Sequence, residues 1–123
     1  MASERWPTEL RLAKDRRSLR IAFDDGTAFE LPAEYLRVES PSAEVRGHSP
    51  AERKTVAGKR QVEIVGVEPV GNYAVKLFFD DLHDTGIYGW AYLYRLGAEQ
   101  RERFDAYLKD LAAKGLSRDP PGR

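Results

Sequence analysis

The chain contains no cysteine. That absence removes disulfides, thiolate zinc sites, thiolate-held iron–sulfur clusters and a cysteine nucleophile together. Histidine is almost as scarce: His48 and His83 are the only two. No apolar run of the roughly 18 residues needed to span a bilayer occurs. Met1 to Trp6 carries charge with no apolar stretch behind it, unlike a secretory leader. The chain therefore reads as a soluble cytoplasmic protein without membrane attachment. Excess charge is missing too: 20 basic and 20 acidic residues cancel. Phosphate neutralisation needs a basic surface, so general nucleic-acid binding is not expected. There is no phosphate-binding P-loop, no dinucleotide-binding glycine pattern and no nucleophile elbow. Ser40 and Ser42 have no base nearby in the sequence. No internal repeat is visible, and no catalytic residue is assigned.

What is present suits one domain. The 123 residues are 41% hydrophobic, with five Phe, six Tyr and two Trp. At about 25 cal/mol per Å2 of apolar area, such a core offsets chain entropy without a staple. Residues 1–8 read as a flexible lead-in, 9–115 as the single domain and 116–123, with Pro120-Pro121, as a disordered tail. Leu10 and Leu12 open a short strand. Leu19, Ile21 and Phe23 alternate with Arg20, Ala22 and Asp24, the period of a half-buried strand. Asp25-Gly26 supplies a hairpin turn before Phe29 and Leu31 resume the alternation. Pro32 to Arg37 reads as one helical turn docked through Tyr35 and Leu36. From His48 to Gly58 the chain is polar and reads as a mobile loop.

Val62, Ile64, Val65 and Val67 suit the next strand, and Glu68 to Asn72 a turn. Tyr73, Val75, Leu77 and Phe79 alternate again, and Phe78 on the opposite face suggests a central strand covered on both sides. The same strand could instead lie at an edge and pair with a second copy. A short helix is expected after Gly89, and a longer one over 98–114. In the longer helix Phe104, Tyr107, Leu108, Leu111 and Ala112 form one apolar stripe, and Gly115 stands where it would end. The expected fold is α+β: a small, mostly antiparallel β-sheet domain of four or five strands, with a short helix and a C-terminal amphipathic helix.

Two dense blocks hold the candidate chemistry. Block one runs from Leu31 to His48 and block two from Phe78 to Trp90. In block two Asp80, Asp81, His83 and Asp84 crowd acids around an imidazole. A divalent cation would relieve their mutual repulsion; a solvated acidic turn is the plainer alternative. His48, after Arg46-Gly47, lies in a loop open to partners. Were His48 and His83 to meet, two imidazoles and a carboxylate would suit iron or zinc. The candidate metal ligands are thus Asp80, His83, Asp84 and His48. Arg37, Arg46 and Tyr88 are the candidate partner or ligand surface, although the arginines could simply pair with Glu39 and Glu44. Gly86 and Gly89 flank Tyr88 in what reads as a tight turn with Trp90 buried beneath it.

Leu31 to His48, Val70-Gly-Asn-Tyr-Ala-Val75 and Phe79 to Leu96 closely resemble the gamma-butyrobetaine hydroxylase-like N-terminal domain family, a domain of unknown function. The resemblance covers roughly residues 8 to 97. In the hydroxylases this domain precedes a separate catalytic β-helix using iron and 2-oxoglutarate, for which this chain has no room. In similar proteins it stands alone or joins Mrp-type P-loop ATPases that carry iron–sulfur clusters. The resemblance implies a non-catalytic accessory or binding domain with a protein partner, linked to iron–sulfur or iron-dependent proteins. The hydroxylase members hold zinc through three cysteines and one histidine. Those positions fall here on Ser40, Ser42, Val45 and His83, so that cysteine zinc site is expected to be absent. Leu82 stands where the stand-alone members have glycine. Any cofactor is unknown, a divalent metal being the candidate, and the oligomeric state is open.

Overall fold

A computed structural model describes residues 6–41, 55–81 and 86–120. Two three-stranded antiparallel sheets share one core with three helices, the α+β arrangement expected. The first sheet contains β1 (Pro7–Leu12), β2 (Ser18–Phe23) and β3 (Ala28–Pro32), in that order. Leu19 lies opposite Leu31 and Ile21 opposite Phe29. The period-2 pattern thus places Leu19, Ile21, Phe23 and Leu31 inside, with Arg20 and Glu30 outside. At the hairpin tip Gly26 adopts φ +88°, and the Asp25 carboxylate accepts from the Thr27 amide at 2.9 Å. Pairing with β2 begins at Pro7, inside the stretch read as a lead-in.

The second sheet contains β4 (Ile64–Val70), β5 (Ala74–Phe79) and β6 (Gly86–Gly89). Two expectations change here. Glu68 to Val70, expected in a turn, continue β4: Glu68 faces Lys76 and Val70 faces Ala74. Pro69 is tolerated because β4 is an edge and needs no outward amide. The turn shrinks to residues 71–73, where Gly71 adopts φ +53°. Gly86 to Gly89, expected as a tight turn, is a strand whose Ile87 and Tyr88 lie opposite Lys76 and Val75. Its glycines answer close approach rather than chain reversal. A Cβ on Gly86 would stand 2.8 Å from Ser40 Oγ and 2.9 Å from the Tyr88 ring. β5 is therefore the centre of its sheet and not an edge. Its inner face buries Val75, Leu77 and Phe79, while Phe78 stays partly exposed under the Lys76 ammonium.

Helix α1 (Ala33–Val38) follows β3, α2 (Trp90–Ala98) follows β6, and α3 (Gln100–Ala113) follows at once. α1 buries both Tyr35 and Leu36 fully. Four tyrosine hydroxyls donate to carbonyls that the short elements leave open: Tyr88 to Leu36, Tyr92 to Glu39, Tyr35 to Leu96 and Tyr107 to Val56. Of the α3 stripe, Phe104, Tyr107 and Leu111 pack inward, whereas Leu108 and Ala112 face solvent because the helix docks along one flank only. Gly115, at φ +67°, ends α3, with the Leu116 amide reaching back to the Leu111 carbonyl and Gly115 to Ala112.

Two segments read as loose are held. Residues 55–58 lie against α3: Val56 and Ala57 pack on Val38, Tyr107 and Leu111, and Thr55 donates to Asp110. The tail over 117–119 pairs with them, the Gly58 amide donating to Ser117 and the Arg60 amide to Arg118. Arg118 then grips Glu34 with two hydrogen bonds of 2.9 and 2.7 Å and lies over the Phe104 ring. Polarity suggested mobility for both segments; a buried carboxylate on α1 supplies the anchor. The rest of the expected loop and tail falls outside the described residues.

Candidate functional site

The described parts of the two blocks meet. α1 lies beside β6 and the start of α2, and the Tyr88 hydroxyl joins them through its 2.5 Å bond to the Leu36 carbonyl. Ser40, fully buried just past α1, adds a hydrogen bond to Tyr88. Burial holds the Tyr88 phenol far above the usual tyrosine range. It therefore stays a neutral donor at any ordinary pH and belongs to the packing. Tyr88 was expected on the partner surface; it is instead fully buried, because strand alternation turns Ile87 outward and Tyr88 in. Trp90, partly buried, donates its indole N–H to the Asn72 carbonyl at 2.9 Å, the structural role expected.

Arg37 sits in the last turn of α1 with its side chain 12% exposed. Its Nε donates at 2.8 Å to Oδ2 of Asp81, which lies just past β5. Lys59 Nζ approaches the same oxygen at 2.6 Å. Three segments far apart in sequence thus converge on one carboxylate, half-closed from water. Arg37 thus turns to Asp81 rather than to Glu39, the local partner that the sequence also allowed. Glu39, 5% exposed, is engaged by Arg103 at 3.1 Å, which also holds Glu99. The Arg103 guanidinium is held above its ordinary range: burial opposes this, but the Glu99 hydrogen bond and the Glu39 charge outweigh it. Beside this pair, Val38, Thr55, Val56, Ala106, Tyr107 and Asp110 line a shallow cleft of about 330 Å3.

Of the four candidate metal ligands, only Asp80 is among the described residues. It is exposed, accepts the Glu63 amide at 3.2 Å and donates its own amide to Glu63 at 3.0 Å, closing the end of the β4–β5 ladder. His48, His83, Asp84 and Arg46 lie outside the described residues. Among those described, no three acidic or histidine side chains are placed to hold a metal ion. The hydroxylases' zinc set does not fit either. Ser40 brings a neutral hydroxyl, buried and committed to Tyr88, where a thiolate would be needed. The roles of Lys59, Arg103 and Arg118 have no signal in the sequence: isolated basic residues carry no periodicity or motif, and only folding brings them to Asp81, Glu39 and Glu34.

No helix among the described residues is long and apolar enough to cross a membrane. No curated protein matches the chain. Among solved structures, two proteins determined by NMR in solution are similar. One is 44% identical, with TM-score 0.83, over 98% of this chain and 95% of the other. The second is 47% identical, with TM-score 0.82, over 98% and 89%. A crystal structure from Acidithiobacillus ferrooxidans, described as a protein of unknown function in the DUF971 family, is 43% identical, with TM-score 0.63, over 76% of this chain and 93% of its own. Residues 10–94 match the model of the family described as gamma-butyrobetaine hydroxylase-like, N-terminal; covering more than half the chain and agreeing with the residues of both blocks, that match places the protein in the gamma-butyrobetaine hydroxylase-like N-terminal domain family.

Proposed function

We propose that this protein is a non-catalytic binding domain that docks a cytoplasmic protein partner at the seam between its two blocks. The observation that carries the reading is the convergence of Arg37, Lys59 and Asp81. Setting three charged side chains in a half-buried cluster costs desolvation that an apolar seam would avoid, which favours a role in recognition over a role in stability. The tyrosines around it support the same reading. The Tyr88 phenol is held protonated by burial, and the Tyr88 and Tyr92 hydroxyls are both spent on backbone carbonyls, so they serve geometry. The surface differs from the one expected in that Tyr88 is replaced by Lys59. The proposed class of partner, an iron–sulfur or iron-dependent protein, rests on what the resemblance implies of similar proteins.

The test is affinity capture from a cell extract with quantitative mass spectrometry, comparing the tagged chain with a variant carrying Arg37→Glu and Lys59→Glu. A near-stoichiometric partner with an iron or iron–sulfur centre, lost in a variant that keeps its far-ultraviolet circular dichroism, is the expected outcome. Equal capture by both proteins would overturn the assignment of the surface. Amide NMR titration with Zn2+ and anaerobic Fe2+ separates the alternative, metal binding through Asp80, His83 and Asp84. Saturable shifts confined to residues 80–84 would move the function to metal handling.

A further inference from the structure

Arg118 enters the domain as a ligand enters a site. Three elements build its seat. α1 supplies Glu34, 6% exposed, and Arg118 Nε and Nη2 donate to its two oxygens at 2.9 and 2.7 Å. α3 supplies the Phe104 ring, with the guanidinium carbon 5.3 Å from its centroid. The segment before β4 supplies main-chain donors: the Gly58 amide reaches the Ser117 carbonyl at 2.8 Å and the Arg60 amide the Arg118 carbonyl at 2.9 Å. Each part narrows what fits. A buried carboxylate with both oxygens engaged in parallel matches the planar guanidinium fork, whereas an ammonium is a single point charge. The ring face adds attraction for a cation. The two amides read the peptide on which the arginine is carried, so the seat is shaped for an arginine within a chain.

The rest of the tail adds little to this grip. Its one apolar side chain over 116–119, Leu116, is 42% exposed, and Ser117 and Asp119 are exposed as well. The family match ends at residue 94. Glu34 and the two amides thus lie inside the matched region, while the arginine that fills them comes from beyond it. We infer that Glu34, Phe104 and the amides of Gly58 and Arg60 form a binding site for an arginine in a short peptide segment, which the chain's own tail occupies as a tethered competitor. A segment tethered this closely has an effective concentration on the order of millimolar, so the tail sets the threshold that an arginine segment from outside must exceed. The site adjoins the Arg37, Lys59 and Asp81 cluster, since α1 carries both Glu34 and Arg37. It does not rest on the docking role proposed for that cluster.

The experiment is amide NMR titration of the full-length wild type and of Arg118→Ala, in which the seat is empty. The probes are the blocked peptide acetyl-Leu-Ser-Arg-Asp-amide and its citrulline counterpart, which keeps the arginine's shape without its charge. The expected result in Arg118→Ala is a set of saturable shifts at Glu34, Gly58 and Arg60. In the wild type the peptide should bind about tenfold or more weakly, and the amides of Ser117 to Asp119 should move to free-peptide positions as the tail is displaced. The citrulline peptide should not bind, and adding Glu34→Gln to Arg118→Ala should abolish the response. If Arg118→Ala loses its far-ultraviolet circular dichroism, displacement of the wild-type tail decides alone. Absence of saturable shifts, equal affinity in the two proteins, or equal binding of the citrulline peptide would overturn the inference. Sedimentation separates the sources of the arginine. A concentration-dependent wild-type dimer that is lost in Arg118→Ala assigns the site to the tail of a second copy, and a monomer that binds the peptide assigns it to a segment of another protein.

Discussion

Replacing Arg118 by alanine should unfold the protein far more readily than a tail substitution ordinarily would. Glu34 is 6% exposed, and its two oxygens each accept one hydrogen bond from Arg118. Charge-assisted hydrogen bonds of this kind contribute about 1.5–3 kcal/mol each, and breaking a fully buried pair costs about 3–5 kcal/mol because the remaining charge is stranded. Arg118 is itself 28% exposed, so water reaches one side of the pair and lowers the cost. The lost stacking on Phe104 adds about 0.5 kcal/mol. The expected destabilisation is about 2–3 kcal/mol. For a domain of this size that lowers Tm by roughly 6–15 °C. The assay is urea unfolding of the wild type, Arg118→Ala, Glu34→Gln and the double variant. Because Glu34→Gln removes the stranded charge, the double variant should be more stable than the sum of the single effects by about 1 kcal/mol or more. A loss below about 0.5 kcal/mol for Arg118→Ala, the value of an exposed ion pair, would refute the anchored tail.

Two further outcomes follow from the packing. Burial raises the Tyr107 phenol to about 12 and the Tyr35 and Tyr88 phenols beyond it, from an ordinary 10.0. Above pH 10 the unfolded chain has therefore lost protons that the folded chain keeps, so stability is level below that pH and falls as pH rises past it. Tyrosinate absorbance should show Tyr35, Tyr88 and Tyr107 still protonated in the folded protein well above pH 10, and their ionisation near pH 10 with the fold intact would contradict it. Gly86→Ala should cost about 1–3 kcal/mol by overpacking, since its Cβ meets both Ser40 and the Tyr88 ring. The accompanying Ser40→Gly change should recover part of that loss in the same denaturation assay, and no recovery would place the strain elsewhere.

Local pattern alone determined much of this protein. Alternation at Leu19, Ile21 and Phe23 with Asp25-Gly26 dictated the first hairpin, because a period of two has one face to bury. The helical spacing of Phe104, Tyr107 and Leu111 dictated α3, and Gly115 its end. Both blocks, and with them the family, were legible in long runs of specific residues. What tertiary structure decided were the features whose partners are distant in the chain. Gly86 to Gly89 is a strand because β5 pairs with it, against the local preference of two glycines for a turn. The tail is fixed because Glu34 lies buried 84 positions away. Arg37 faces Asp81 and Lys59 rather than its neighbour Glu39 because α1 is laid against the end of β5. Charge pairing has no periodicity in sequence, and its energy depends on burial that only the folded chain creates.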